Sequence, residues 1–176
     1  SFILTDDSYT HNFFTSLKKK ANEGVKLKII IDKVGDFWYG SINKKEFEEA
    51  GAEVLFFKRW FYRSHRKVLV IDGDIAYLGG VNIRREYANW VDLHVRLTGV
   101  LVKSVLLSFR RVYELSGGRD PEILSLKKMP LSETRRSLYK AKTWLIEHWP
   151  LRGRSALKSY YKKKFREAQK NITIVT

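Results

Sequence analysis

The sequence places a histidine, a lysine and an asparagine where they can act together on one phosphate group. His65, Lys67 and Asp72 lie within one run of eight residues, and Gly80 and Asn82 follow it closely. Histidine acts as a nucleophile or carries a proton near neutral pH, but one histidine does not comfortably fill both roles at a phosphodiester. Lysine supplies a compact positive charge and asparagine a neutral donor, both suited to phosphoryl oxygens. The combination predicts phosphate-ester chemistry.

Side-chain alternation along a strand sorts these residues onto two faces. His65 and Lys67 project from one face of the predicted strand, and Asp72 projects from the other. A two-residue hairpin loop after Asp72 would place Asn82 opposite His65 and Gly80 opposite Lys67, with open space above the lysine. A bulge near the glycines would shift this pairing. Each residue taken alone also fits an ordinary polar surface hairpin.

The apolar pattern around this run predicts an α/β domain with parallel pairing and right-handed crossovers. Helices ending at glycines alternate with short apolar strands before the hairpin, and an Asn-x-x-Glu capping box marks the second helix. The predicted strands cover residues 2–4, 25–32, 52–57, 67–72, 75–80, 90–97 and 171–176. The predicted helices cover residues 6–24, 43–51 and 100–115, with further helix in the basic stretch beyond residue 118.

The spacing H-x-K-x4-D-x6-G-G-x-N, complete in residues 65–82, resembles the signature of the phospholipase D superfamily. The segments 24–32, 49–54 and 90–99 are similar to the cardiolipin synthase branch of that superfamily. The resemblance covers residues 2–116 well, and it returns at 154–176, which looks like the first helix and strand of a second catalytic repeat. It implies a phospholipase D-like α/β fold, a mixed or parallel sheet flanked by helices, as the first repeat of a duplicated fold.

The resemblance also implies roles for the residues of the motif. His65 would be the catalytic histidine of this repeat. Lys67 would hold the phosphate oxygens together with Asn82, and Gly80 would lie at the phosphate-binding position. Asp72 completes the catalytic motif and is expected to act structurally, in agreement with its place on the opposite face of the strand.

A second group of polar residues lies on the following strand. Asp92 matches the carboxylate that members of the family place beside the catalytic histidine to orient it. His94 shares a strand face with Asp92, and we expect it to be a packed strand residue. No metal or cofactor is expected, because the histidines form no ligand cluster, the chain has no cysteine, and no glycine-rich nucleotide-binding loop is present.

The resemblance implies a phosphatidyltransferase of the cardiolipin synthase type. It would move a phosphatidyl group from one phosphatidylglycerol molecule to another through a phosphohistidine, and water as acceptor would make it a phospholipase D. There are two alternatives: a phosphodiesterase that acts on nucleic acid, and a basic module that binds phosphate without catalysis. The family's active site uses two motifs, so a second repeat in the parent chain or a homodimer would complete it. We expect the fragment alone to have little or no turnover.

The length and composition of the chain are consistent with one catalytic repeat from a longer enzyme. The 176 residues are 44% hydrophobic, which is enough for the core of one ordinary domain. The start at Ser1 suggests a piece of a longer protein, with a first catalytic repeat at 1–116 whose first strand is truncated, a basic linker at 117–153 and a truncated second repeat at 154–176. The absence of cysteine excludes a disulfide framework, and no apolar run approaches the ~20 residues that span a bilayer.

The positive charge is unevenly distributed. The net charge of the chain is +15. Residues 117–176 contain 15 basic and 5 acidic side chains, so they carry +10 of it. Tyr139, Trp144 and Trp149 stand among these cations, a mixture that suits a membrane interface with anionic lipid. Packing of the aromatics on the catalytic domain and binding of a nucleic-acid backbone are the alternatives. The sequence favours phosphatidylglycerol at the bacterial cytoplasmic membrane over nucleic acid as the partner.

Overall fold

The computed structural model describes residues 3–40, 42–58, 64–126, 145 and 156–174 of the chain. These residues form an α/β fold with one parallel and one antiparallel sheet, flanked by helices, which confirms the expected fold class. The strands are β1 (Lys28–Asp32), β2 (Glu53–Phe57), β3 (Lys67–Ile71), β4 (Ile75–Gly79) and β5 (His94–Thr98). The helices are α1 (His11–Asn22), α2 (Lys33–Tyr39), α3 (Lys44–Glu49), α4 (Val100–Leu115), α5 (Pro121–Leu124) and α6 (Ala156–Glu167), and a 3₁₀ helix covers Arg85–Tyr87.

The first sheet consists of β1 and β2, which pair in parallel from Lys28 opposite Glu53 to Asp32 opposite Phe57. β1 is a nearly continuous apolar run, as expected for a strand whose two faces are both covered. The face toward α1 and α3 buries Ile29, Ile31 and Val54 against Phe14 and Phe47. The face toward α4 buries Ile30 and Phe57 against Val112 and Tyr113.

The second sheet is an antiparallel meander of β3, β4 and β5. One face packs on the first half of α4, where Val102 and Val105 join Ala76 in a buried cluster. The second half of α4 packs on the first sheet, so this helix joins the two sheets. Its apolar residues recur at helical spacing, and its bounds equal the predicted 100–115. The site residues on β3 to β5 therefore rest on a rigid helical support.

Capping explains where two of the early helices begin. The predicted cap at α3 is confirmed, because the Asn43 side-chain oxygen accepts from the backbone N–H of Glu46; the Glu46 carboxylate meets the Asn43 side-chain amide at 2.9 Å and not its backbone N–H. α1 begins later than predicted, at His11. The carboxylate of Asp7 accepts the N–H groups of Tyr9 and Thr10, so it caps the turn ahead of the helix.

The structure also departs from the prediction elsewhere: β1 begins only at Lys28, and Leu4 forms an isolated bridge to Ile83 where a strand was predicted. Residues 33–39 form α2, a helix that the sequence pattern did not predict. It begins after Asp32, because the Asp32 carboxylate caps it by accepting the N–H of Val34 at 3.0 Å. β5 begins only at His94, since the Arg85–Tyr87 helix and the loop after it occupy the chain before that point. Residues 171–174 form no strand, and their side chains are exposed. A strand needs a neighbour for its backbone hydrogen bonds, and the described residues provide none there.

A buried tyrosine holds the segment after α4 against the first sheet. The Tyr113 hydroxyl donates to the Glu53 carboxylate at 2.7 Å and accepts the backbone N–H of Asp120 at 3.1 Å. Lys28 bridges the carboxylates of Glu53 and Asp120, at 3.3 and 2.6 Å. Burial, and the hydrogen bond to Glu53, raise the pKa of the Tyr113 phenol. The network fixes the point where the chain leaves α4.

Replacing Tyr113 by phenylalanine should lower the free energy of unfolding by about 1–2 kcal/mol, because the ring stays but two partners lose a hydrogen bond. Urea denaturation of the 176-residue chain measures this. Tyr9→Phe is the matched control, since the Tyr9 side chain is 67% exposed and should cost nothing measurable. Equal stability of the two variants would contradict the role of the network.

Candidate active site

The hairpin that carries the motif has a three-residue loop, so the predicted register is wrong by one residue. Asp72 and Gly73 both have positive φ, at 52° and 73°, and the N–H of Asp74 donates to the carbonyl oxygen of Ile71 at 3.1 Å. A turn with two left-handed central residues matches the twist of a hairpin, and Asp-Gly suits it. Asp72 thus lies in the turn itself, which is consistent with a structural role.

The corrected register changes the neighbours of the motif residues. Lys67 lies opposite Gly79, where the predicted partner was Gly80. Asn82 does not lie opposite His65, because β4 ends at Gly79 and His65 precedes β3. The face assignment for Lys67 agrees with the register: Val68 packs toward α4, so its neighbour Lys67 projects from the other face.

His65 and Lys67 are brought together at the start of β3. The Lys67 Nζ lies 3.4 Å from Nδ1 of His65 and donates to the His65 carbonyl oxygen at 3.1 Å. Burial lowers the pKa of the Lys67 ammonium, and the negative charge of Asp92 partly opposes this shift. The two residues whose spacing predicted phosphate chemistry therefore form one cluster of an imidazole and an ammonium group, and the Asp92 carboxylate is close enough to influence the lysine.

Gly79 at the end of β4 and Gly80 just after it make room for two side chains, His94 at the start of β5 and Asp92 two residues before it. A Cβ atom added to Gly80 would lie within 2.7 Å of an Asp92 carboxylate oxygen, and one added to Gly79 would lie 2.6 Å from Nδ1 of His94. The glycine that lies opposite Lys67 and leaves space beside it is thus Gly79 and not Gly80. Gly80 accommodates Asp92, whose carboxylate also accepts the N–H of Leu93 at 2.7 Å. Both glycines serve the site by letting β5 approach closely.

Asn82 remains a candidate phosphate-binding residue on the loop after β4. Its side-chain oxygen is buried and has no hydrogen-bond partner in the part of the chain that the structure describes. A buried amide oxygen without a donor is unfavourable. The Asn82 amide oxygen is therefore an acceptor that the described fold leaves unsatisfied.

Sequence analysis missed the role of Asp32, a buried carboxylate at the carboxyl end of β1. Asp32 is 1% exposed, and its two oxygens accept the N–H groups of Val34 at 3.0 Å and Ser64 at 2.6 Å. The second bond ties β1 to the residue just before His65. The position at the carboxyl end of a parallel strand was the available signal, because sites of α/β sheets gather at that edge.

Lys67 lines a cavity of about 520 Å³ between the two sheets. Asp32, Ser64, Arg66, Lys67 and His94 are polar residues of its wall. The remaining lining is mostly apolar and comes from α1, α4, β1, β3, β4 and the segments next to these strands. A volume of this size is typical of a site for an organic ligand.

The lowered pKa of Lys67 predicts a specific pH dependence of stability. The unfolded chain, in which the lysine has its ordinary pKa near 10.5, binds more protons than the folded chain just below that pH. The free energy of unfolding attributable to Lys67 should therefore rise as the pH rises toward 10.5. Lys67→Met should abolish that rise, which urea denaturation at neutral and alkaline pH measures. The exposed Lys103→Met serves as the control, and identical pH profiles for wild type and Lys67→Met would contradict the prediction.

Gly80→Ala should displace the Asp92 carboxylate, because the new methyl group and that side chain cannot occupy the same space. We expect a loss of about 1–2 kcal/mol in the free energy of unfolding. Combining Gly80→Ala with Asp92→Ala should recover most of it, since the atoms that clash are then absent. Chemical denaturation of the two single variants and the double variant gives the coupling energy, and strictly additive losses would refute the close approach.

The described residues contain no group of three or more histidine, aspartate or glutamate side chains that could hold a metal ion. Within the same residues, no helix is both long and apolar enough to cross a membrane. The aromatic residues predicted to lie at a membrane, Tyr139, Trp144 and Trp149, fall outside the described residues.

Comparison with known proteins agrees with the motif. The phospholipase D-like domain of cardiolipin synthase matches residues 2–94, more than half of the chain. The chain belongs to this family. The match spans the elements from α1 to the start of β5, and it contains every residue of the cluster around His65 and Lys67.

Several curated relatives of this phospholipase D-like domain are cardiolipin synthases. The chain is 29% identical to a cardiolipin synthase of Clostridium perfringens over 99% of its own length and 40% of the relative. It is 33% identical to cardiolipin synthase 2 of Bacillus cereus over 72% of its length and 28% of the relative. It is 36% identical to the minor cardiolipin synthase ClsB of Bacillus subtilis over 56% of its length and 29% of the relative. The chain thus spans two fifths or less of the length of these relatives.

Proposed function

We propose that the full-length protein is a phosphatidyltransferase of the cardiolipin synthase type, with His65 acting at phosphorus. The observation that carries this proposal is the pairing of His65 with Lys67, 3.4 Å apart, because Lys67 also lines a largely apolar cavity. A phosphodiester with apolar chains matches such a site in charge and in polarity. The family, and relatives named cardiolipin synthase, support lipid as the substrate class.

The reaction takes two displacements at phosphorus. A histidine nitrogen attacks the phosphorus of phosphatidylglycerol, the bond to the glycerol headgroup oxygen breaks, and a second histidine protonates the departing glycerol. A hydroxyl of another phosphatidylglycerol then attacks the phosphatidyl-histidine, gives its proton to the second histidine and releases the first. His65 fills one of these two roles. Lys67 and Asn82 bind the phosphate oxygens beside Gly80, and Asp92 orients the cluster.

The second histidine comes from outside the repeat that His65 occupies. A second phospholipase D-like repeat in the parent chain, or a second copy of this chain, would supply it. The 176-residue chain alone should therefore show little or no turnover. Asp72 contributes by forming the turn that sets the register of β3 and β4.

The exposed aromatic residues near the site support action at a membrane. Phe37 and Trp38 on α2 are 77% and 70% exposed, and Trp90, on the loop before β5, is 66% exposed. Arg84 connects these two regions by donating to the carbonyl oxygen of Tyr39 at 3.2 Å. Aromatic rings beside cations are typical of proteins at the lipid headgroup level. We propose association with the bacterial cytoplasmic membrane, through phosphatidylglycerol, on this basis.

A phosphodiesterase acting on nucleic acid is the second candidate. Tyr161 and Phe165 on α6 stack at a centroid distance of 5.9 Å, are about half exposed and stand among lysines. Stacked aromatics with cations also bind single-stranded nucleic acid.

A direct comparison of the two substrates decides between these functions. Full-length protein is incubated with phosphatidylglycerol vesicles and, separately, with labelled single-stranded DNA, and cleavage of phosphate esters is measured in each. We expect turnover of the lipid and none of the DNA. Cleavage of DNA with no change in the lipid would overturn the proposal in favour of the nuclease.

A further inference from the structure

β5 brings a second histidine into the same cross-strand row as Lys67. Lys67 pairs with Gly79 on β4, and Gly79 pairs with His94 on β5. Residues in one such row project from the same face of a sheet, here the face turned away from α4. Because the middle residue is a glycine, nothing from β4 separates the lysine from the imidazole.

The His94 ring lies over that glycine and faces the cavity. Its Nδ1 would be 2.6 Å from a Cβ atom at Gly79, so the ring occupies the place of the missing side chain. His94 and Lys67 both line the cavity between the sheets. β3 and β5 are two strand spacings, about 10 Å, apart. Two long side chains that face each other over this distance can enclose one small anion.

We propose that His94 is a phosphate-binding residue whose Nε2–H donates to the same phosphate group that Lys67 holds across Gly79. The proposal deepens the function proposed above and rests on it for the natural ligand, a lipid phosphodiester. Free phosphate presents the same oxygens, so it serves as a probe that does not depend on lipid turnover. The site then has donors from two strands, which fixes the orientation of the phosphate beside His65.

The charges around Lys67 and His94 indicate that an anion there needs a second donor besides the lysine. Arg66 lines the cavity beside Lys67, while Asp32 is committed to two backbone N–H groups. Asp92 places a negative charge near Lys67 and would weaken the attraction of the lysine for an anion. A second donor at His94 offsets this repulsion.

Titration of the 176-residue chain with inorganic phosphate, followed by NMR of the histidine ring protons, tests the proposal. The sequence has four histidines, so each ring signal can be assigned by substitution. The rings of His65 and His94 should shift together with one dissociation constant, and His11 on α1 should not respond. His94→Ala should weaken phosphate binding about tenfold, the effect of losing one hydrogen bond to a charged group. His94→Gln, which keeps a donor, should recover part of the loss, and His11→Ala should change nothing.

The outcomes separate this proposal from the proposed function. An unmoved His94 signal while His65 responds, no response of either ring at about 50 mM phosphate, or unchanged affinity in His94→Ala would overturn it. Full-length protein that binds phosphate through His94 but does not turn over phosphatidylglycerol would refute the lipid function and leave the His94 site standing. If His94→Ala does not fold, the wild-type titration still decides, because it needs no variant.

Discussion

Replacing His65 by alanine in the full-length protein should lower the rate of phosphatidyl transfer by at least about a thousandfold. His65 is the histidine that lies next to Lys67, with Nδ1 3.4 Å from the lysine Nζ, and it is exposed to solvent. Loss of the ring removes either the nucleophile or the proton carrier. Each displacement needs both the nucleophile and the proton carrier, so the rate of transfer should fall whichever of the two roles His65 has. Steady-state turnover of phosphatidylglycerol in vesicles measures the effect.

His11→Ala is the matched control for this experiment. His11 lies on α1, away from the cluster, and its ring contacts Asp6 at 3.1 Å on the surface. We expect it to leave turnover unchanged. If His65→Ala retained wild-type turnover, His65 would be removed from the mechanism.

Gly79→Ala should lower the free energy of unfolding by about 2–3 kcal/mol, the largest stability effect that we expect from a single methyl group in this chain. The added Cβ atom would lie within 2.8 Å of the His94 Cα and closer still to the carbonyl oxygen of Leu93. Both are backbone atoms of the β5 segment, so relief requires moving that segment away from β4. Chemical denaturation of the 176-residue chain measures the loss.

The glycine pair provides its own internal comparison. At Gly80 the clashing atoms belong to the Asp92 side chain, so Asp92→Ala should rescue Gly80→Ala. At Gly79 the nearest clash is with backbone, so His94→Ala should not rescue Gly79→Ala. Rescue of Gly79→Ala by His94→Ala, or a loss below about 0.5 kcal/mol, would show that β5 does not approach β4 as closely as described.

The parts of the fold that follow from local patterns were predicted well. α4 was predicted at its observed bounds, because sixteen residues of helical periodicity and a glycine before them leave little ambiguity. The cap of α3 and the parallel pairing of β1 and β2 also follow from the sequence, since short apolar strands alternate with helices. The grouping of His65 with Lys67 follows from their spacing of two residues on an extended chain.

Features that depend on tertiary contacts could not be predicted in the same way. The hairpin register differs from the prediction by one residue because the tight turn is centred on Asp72 and Gly73, and Ile71 pairs with Ile75 across a three-residue loop. The proposed space above Lys67 therefore moved from Gly80 to Gly79. The role of Asp32 depends on Ser64, which is 32 positions away in the sequence and becomes a neighbour only in the folded chain.

The relation of the chain to longer relatives bears on how the site works. The chain covers 40% of the Clostridium perfringens relative and contains one complete motif. We propose residues 1–116 as the first catalytic repeat, 117–153 as a basic linker and 154–176 as the start of a second repeat. The helix α6, Ala156–Glu167, lies where the first helix of that second repeat was predicted.

Analysis of the lipid products of the full-length protein tests the central claim most directly. Phosphatidylglycerol vesicles, with no other lipid present, are incubated with the protein, and lipids and glycerol are quantified by mass spectrometry. The account predicts cardiolipin with one glycerol released for each molecule formed, and loss of both products in His65→Ala. Phosphatidylglycerol that stays unchanged, under conditions where the protein is folded and bound to the vesicles, would contradict it.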